Sequence, residues 1–153
     1  MTLELMLNAT KKGQMGLFAA LDQVGLRRSL AAYFHEHASD YWHMSPLALE
    51  AFADVCIRTS AKYGIANAEY IGAFSWAMVS ASPRFHEHHK MQEILHSSRS
   101  EDDKIEMLFA NERADDWREI AVTAALDIDH DIAFWDENFD PSLCDEIEAK
   151  EAV

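Results

Sequence analysis

The feature that most constrains the fold is a nearly uncharged stretch, residues 65–82, in which Glu69 is the only charged side chain. A helix without a broad solvated face is stable only when other segments cover it, so this stretch predicts a buried central helix. Ser45 and Pro46 predict the start of the preceding helix, because serine caps free amide groups and proline fits the first helical position. Gly64 predicts the end of that helix, since glycine adopts the left-handed cap conformation at little cost.

The segments on both sides of this stretch also have helical spacing. We expect Ala48–Ser82 to form the core hairpin and Arg84–His96 to form a third, strongly polar helix. Alternation of Val, Ile and Thr with polar residues is missing, so no strand is predicted. The sequence therefore predicts an all-α, single-domain multi-helix bundle over residues 1–153. Its core helices span 27–109, and 110–153 forms acidic C-terminal helices or a tail.

Negative charge is concentrated in the last third of the chain. The formal net charge is -14; residues 1–100 carry nine Lys or Arg and nine Asp or Glu, whereas residues 101–153 carry four and eighteen. Such a surface repels nucleic acid and anionic membranes, so we predict no nucleic-acid binding and no membrane insertion. A basic protein partner is the natural complement. The alternative is that the acidity only keeps the protein soluble.

Aromatic residues are set among the acids near the C-terminus, where residues 127–151 contain ten acids and one lysine. Such aromatics either dock the segment onto the domain, which is the commoner case, or anchor a partner. If the acidic face binds a partner, the predicted contacts are seven acids and two apolar anchors: Asp115, Asp116, Asp129, Asp131, Asp136, Glu137 and Asp140, with Trp135 and Phe139.

The two cysteines and the N-terminus indicate a reducing compartment. Cys56 and Cys144 have no disulfide or metal-ligand spacing, so both are predicted to be reduced. The first residues contain a short apolar run without a basic leader or a cleavage-like sequence, which argues against a signal peptide. We therefore predict a cytoplasmic protein.

A histidine stripe is the basis of the main alternative prediction, in which the protein binds a metal ion or catalyses a reaction. His86, His89, Glu93 and His96 are separated by three, four and three residues and would share one face of a helix. Glu93 and His96 have the spacing used in carboxylate-bridged iron sites. However, inward carboxylates on other helices are few, and no zinc signature is present. An exposed polar face is the commoner explanation, so we predict no cofactor and no catalysis, with a His/Glu metal protein or enzyme as the second alternative.

A series of short motifs occurs between residues 61 and 108, and the resemblance that they carry covers about residues 27–109. In order, they are Ala61-Lys62-Tyr63-Gly64-Ile65, Glu69-Tyr70-Ile71, Phe74, Trp76-Ala77-Met78, Phe85, Ile94-Leu95 and Lys104-Ile105-Glu106-Met107-Leu108. This order resembles a group of small helical accessory and immunity proteins. They are encoded beside type VI secretion and polymorphic-toxin genes in Gram-negative bacteria.

The resemblance implies a non-catalytic role, either as an immunity protein that neutralises a cognate toxin or as a chaperone or adaptor that loads an effector. The acidic last third favours immunity, since many antibacterial toxins act on nucleic acid and carry basic surfaces that an acidic protein can occlude. An adaptor would more often present an exposed apolar groove. Met78 and Met91 or Trp42 could line such a groove, although core packing explains them equally well.

Overall fold

The computed structural model describes residues 23–38 and 44–143. These residues form α-helices and two short 3-10 turns, and no strand occurs among them, so the all-α prediction is confirmed. None of the helices in these two ranges is long and apolar enough to cross a membrane. The helices are α1 Gln23–His37, α2 Pro46–Lys62, α3 Ala68–Ser80, α4 His89–Leu95, α5 Glu101–Leu108, α6 Ala114–Leu126 and α7 Ile128–Asn138, with 3-10 turns at Phe85–Glu87 and Asn111–Arg113.

Helices α1, α2 and α3 pack against one another and form the centre of the bundle. Helix α3 is buried at every position from Ile71 to Val79, which confirms the predicted buried central helix. Phe74 and Met78 are fully buried on α3, and Leu30 and Phe34 of α1 are 1% exposed. Each large apolar side chain buried in this way stabilises the fold by about 1.5–3 kcal/mol.

The ends of these helices follow from their local sequence. Ser45 Oγ accepts a hydrogen bond from the backbone nitrogen of Ala48 at 3.2 Å and caps α2. Gly64, which follows the last turn of α2, has a φ of +77°, a conformation that L side chains adopt with strain. Ser100 Oγ caps α5 by accepting from the backbone nitrogen of Asp103 at 3.2 Å. The boundaries predicted at Ser45 and Gly64 are confirmed.

Two polar side chains of α5 form hydrogen bonds with the turn between α2 and α3. Glu101 Oε1 accepts backbone hydrogen bonds from Ala66 at 3.1 Å and from Asn67 at 2.7 Å. Lys104 Nζ donates to the backbone oxygen of Tyr63 at 3.0 Å. Because these bonds satisfy backbone groups at a helix junction, they fix where the α2–α3 hairpin lies against α5.

The prediction of one continuous helix over Arg84–His96 is wrong. The chain forms the 3-10 turn Phe85–Glu87, His88 is extended with φ -62° and ψ 136°, and α4 begins only afterwards. This break brings Phe85 and His86 into the core, where they are 0% and 7% exposed. Burial of these two side chains therefore outweighs the helical preference of the segment.

The acidic C-terminal part shares the core of the other helices. Trp117 and Ile120 of α6, and Phe134 and Trp135 of α7, belong to the same buried apolar cluster as the side chains of α1–α5. Trp117 Nε1 also donates a hydrogen bond to the backbone oxygen of Leu108 at 2.8 Å. One face of α6 and one face of α7 are therefore buried in the core, and the opposite face of each helix carries the charged side chains.

Candidate functional site

Helices α6 and α7 carry a dense acidic surface. Residues 114–138 contain eight Asp or Glu, and Arg118 is the single Lys or Arg. The two helices meet at Asp127, whose Oδ1 accepts a hydrogen bond from the backbone nitrogen of His130 at 3.1 Å and caps α7. A carboxylate at this position is stabilised by the positive end of the helix dipole. The junction is one residue long, so Asp127, Asp129 and Asp131 lie next to it, whereas the other acids lie toward the far ends of α6 and α7.

Arg84, which precedes the 3-10 turn, holds α7 against the core. Its Nε donates to the backbone oxygen of His130 at 3.0 Å, and its Nη2 lies 3.6 Å from Glu137 Oε2. The guanidinium carbon is also 5.3 Å from the ring centroid of Phe134. The Arg84 side chain is only 15% exposed, so these contacts are partly shielded from water.

Two of the predicted contact acids are fully available to a partner. Asp129 and Asp136 are exposed and make no hydrogen bond or ion pair within the described ranges. Asp115 is also exposed, and its Oδ1 pairs with Arg118 Nη2 at 2.8 Å. Since that pair is solvated on both sides, it is easily exchanged for a partner contact.

Other predicted acids are engaged within the fold. Asp116 Oδ2 accepts from Arg113 Nη1 at 3.2 Å, and its side chain is 18% exposed. Asp131 Oδ1 accepts from Ser82 Oγ at 3.1 Å, and burial raises the pKa of this carboxyl group. Asp140 accepts from the backbone nitrogen and hydroxyl group of Ser142, and Glu137 pairs with the arginine that holds α7. Asp116 and Asp131 are therefore partly buried, whereas Glu137 and Asp140 stay exposed despite their contacts.

The two predicted aromatic anchors lie in different environments. Trp135 is 8% exposed and stacks on Phe52, with ring centroids 4.3 Å apart and an interplanar angle of 17°. It therefore belongs to the core and cannot serve as an exposed anchor. Phe139, just after α7, is 40% exposed.

Four other apolar side chains are exposed around the α6–α7 junction. They form what we call the apolar edge: Val122 at 58%, Leu126 at 83%, Ile128 at 61% and Ile132 at 51% exposure. In α6, Val122 lies two residues after buried Ile120 and so points about 200° away from it. Sequence reasoning missed this edge. The sequence feature that could have revealed it is the pair Val122 and Leu126, which are four residues apart. This pair lies on a different face of α6 from buried Trp117 and Ile120.

An open groove of about 560 Å³ adjoins the apolar edge. Met78 and Met91, which were predicted as possible lining residues, are fully buried in the core, and Trp42 lies outside the described residues. The groove runs between α7, the middle of α2 and the end of α3, and its apolar lining includes Phe52, Val79, Pro83, Ile128, Ile132 and Trp135.

The predicted histidine stripe does not form one face. His86 is buried in the 3-10 turn, whereas His89 and Glu93 are exposed on α4 and His96 follows its last residue. The Nδ1 atom of His86 is already 2.9 Å from the hydroxyl oxygen of Tyr63. Burial lowers the pKa of His86 to about 4, so its ring is neutral at physiological pH. The four side chains therefore form no common chelate.

A different set of potential ligands does come together. His88, Asp116 and Glu119 each place one ligand atom within 4.8 Å of the others, and no other such group of three is found in the described part of the chain. His88 lies at the start of α4, and the two acids lie on α6. No local pattern indicates this set, because its histidine and its acids are 28 or more residues apart in the chain.

No protein-family model matches the chain, and neither the curated proteins nor the solved structures contain a significant match.

Proposed function

We propose that this protein is a non-catalytic binding module that recognises a basic surface of another protein through α6 and α7. We further infer that it is an immunity protein, which neutralises a cognate bacterial toxin by covering that basic surface. The observation that carries the proposal is the apolar edge, which is exposed in the middle of the acidic surface.

The edge and the acids would supply different parts of the binding energy. Four large apolar side chains are more than half exposed within eleven residues, 122–132, so exposed apolar area is concentrated on either side of the α6–α7 junction. Burying them under a partner contributes about 25 cal/mol per Å² of apolar area. The surrounding acids speed the encounter with a basic partner and select against acidic ones.

The immunity role is supported by the resemblance over residues 27–109 and by the sign of the charge. A toxin that cleaves or modifies nucleic acid must carry basic residues to hold phosphate groups. An acidic surface of complementary shape competes directly with the nucleic acid for those basic residues. The described residues that would make contact are Asp115, Asp129, Asp136 and Phe139, together with the apolar edge.

The first experiment is co-expression with the products of the neighbouring genes, followed by affinity measurement at low and moderate salt. The double variant Asp129→Lys/Asp136→Lys should bind about tenfold or more weakly, because both acids are exposed and unpaired. The matched control is Glu93→Lys/Glu106→Lys, which changes the net charge equally on exposed acids of α4 and α5. Equal affinity of the two double variants would contradict the proposed surface.

Neutralisation is tested separately by growth. A host expressing the partner should grow when this protein is co-expressed and should stop growing when the Asp129→Lys/Asp136→Lys variant replaces it. If the partner binds but is not toxic, or stays toxic when bound, the immunity role is rejected. The protein would then still be a binding module.

The groove beside the apolar edge favours a second candidate, a chaperone or adaptor that holds an apolar segment of an effector. Its volume of about 560 Å³ and its apolar lining suit a few side chains of an extended or helical segment. The two functions differ in what happens to the partner. An adaptor leaves its bound effector active, whereas an immunity protein blocks the toxin.

A further inference from the structure

We propose that His88, Asp116 and Glu119 form a binding site for a divalent transition-metal ion, with Zn²⁺ as the best match. One imidazole and two carboxylates supply nitrogen and oxygen donors that zinc accepts, and three protein ligands leave a fourth position for water. The site would link the start of α4 to α6, and it uses none of the apolar edge residues.

The spacing of the ligand atoms fits a tetrahedral ion. His88 Nε2 lies 3.5 Å from Glu119 Oε2. Bonds of 2.0–2.1 Å in a tetrahedron separate neighbouring ligand atoms by about 3.4 Å. All three ligand atoms lie within 4.8 Å of one another, so side-chain shifts of at most about 1.4 Å bring them to this spacing. Glu119 can make such a shift because its side chain is 62% exposed.

A second observation concerns the surroundings of His88 Nε2. The His88 side chain is 11% exposed, and its Nε2 atom is buried and faces Glu119 Oε2 at 3.5 Å without forming a hydrogen bond within the described ranges. Buried polar atoms without a partner are rare, and each needs a physical explanation. A metal ion bound between Nε2 and the two carboxylates provides one.

The acids are positioned by α6 and by a neighbouring arginine. Asp116 and Glu119 are three residues apart, so they project from the same face of the helix. Arg113 Nη1 donates to Asp116 Oδ2 at 3.2 Å, which orients this carboxylate and leaves its second oxygen for the ion. Metal ligands are usually oriented in this way by hydrogen bonds from residues that do not themselves bind the ion.

Metal binding would be coupled to the cap of α4. His88 Nδ1 accepts a hydrogen bond from the backbone nitrogen of Lys90 at 3.2 Å. When Nε2 binds a metal, the proton of the neutral ring moves to Nδ1, which can then no longer accept that bond. Breaking the cap lowers the metal affinity by about fivefold. The Lys90 amide group therefore reports on occupancy of the site.

The test is a calorimetric titration of the full, tag-free chain with Zn²⁺ at neutral pH. We expect one tight Zn²⁺ per chain and a loss of affinity of about tenfold or more in Glu119→Gln and in His88→Asn. Asparagine caps helices well, so His88→Asn keeps α4 folded, and Glu119 is at the surface. The matched control His35→Asn, on exposed α1 surface, should bind like the natural protein.

Two further measurements complete the test. The Lys90 amide resonance should shift on adding Zn²⁺ to the natural protein, and in Glu119→Gln the same shift should need about tenfold or more higher free Zn²⁺. Mg²⁺ should not compete, because it prefers oxygen ligands in an octahedron. Absence of a tight site, or equal affinity of Glu119→Gln and the natural protein, would overturn the proposal. Partner binding measured in a chelator tests the acidic surface independently of this site.

Discussion

The hydroxyl oxygen of Tyr63 lies 2.9 Å from Nδ1 of His86 and joins the end of α2 to the 3-10 turn. Gln92 Nε2 donates to the same hydroxyl oxygen at 3.4 Å and to the backbone oxygen of His86 at 2.7 Å. Because the tyrosine oxygen accepts from Gln92, its own hydrogen is free to be donated to Nδ1. The neutral histidine is thereby held among the aromatic rings of Phe74, Phe85 and Phe134.

Removing this hydroxyl group should destabilise the fold. In Tyr63→Phe, Nδ1 of His86 becomes a buried acceptor without a donor, so we expect the free energy of unfolding to fall by about 1–3 kcal/mol. Urea denaturation measures the change. The control is Tyr70→Phe, which removes a hydroxyl group bonded to the Asp102 carboxylate at the surface; because water can replace that bond, the loss should be about 0.5 kcal/mol or less. Equal losses in the two variants would show that the Tyr63–His86 bond contributes nothing specific.

Stability should decrease on acidification because of His86. Burial lowers the pKa of His86 to about 4 from its ordinary value of 6.5. Between these pH values the unfolded chain binds a proton that the folded chain does not, so the free energy of unfolding falls as the pH is lowered. The fall attributable to His86 is about 3 kcal/mol. Denaturation of the natural protein and of His86→Gln at pH values from 7 to 4 measures it, and parallel curves would contradict the assignment.

Two arginines of the acidic region should differ in their contribution to stability. Arg84 is largely buried and bonds to the backbone of α7, so Arg84→Met should cost about 2 kcal/mol and speed amide exchange in α7. Arg118 pairs with Asp115 at the surface, where both side chains are at least 76% exposed. Arg118→Met should therefore change stability by less than about 0.5 kcal/mol. An opposite order would show that α7 is held by other contacts.

The two kinds of apolar residue among the acids should respond differently to truncation. Trp135→Ala opens a cavity beside Phe52 and should cost about 3–5 kcal/mol. Leu126 is 83% exposed, so Leu126→Ala should alter the free energy of unfolding by about 0.5 kcal/mol or less. Thermal unfolding compares the two variants. A large loss in Leu126→Ala would mean that the apolar edge is covered in solution.

Much of the fold was predictable because its determinants are local. The caps at Ser45 and Ser100 and the left-handed Gly64 each involve partners within one helical turn, so neighbouring residues alone decide them. The burial of α3 was predictable for a different reason: a segment with one charge in residues 65–82 has no face that water solvates well.

The candidate sites were less predictable because they depend on which surfaces other segments cover. The spacing of residues 84–96 suits a helix, yet the core gains more by burying Phe85 and His86 in a turn. Ile132 follows Asp131 and Trp135 precedes Asp136 in the same short helix, and only packing against Phe52 places Trp135 inside and leaves Ile132 outside.

The sequence by itself determined an all-α chain, its principal helix boundaries, its buried central helix and the placement of negative charge in the last third. These properties arise from hydrogen bonds and apolar spacing within a few residues, and from composition. Tertiary structure alone decided that His86 is buried, that the apolar edge is exposed and that His88 meets Asp116 and Glu119. Those outcomes require contacts between segments far apart in the chain, whose free energies depend on how the helices pack.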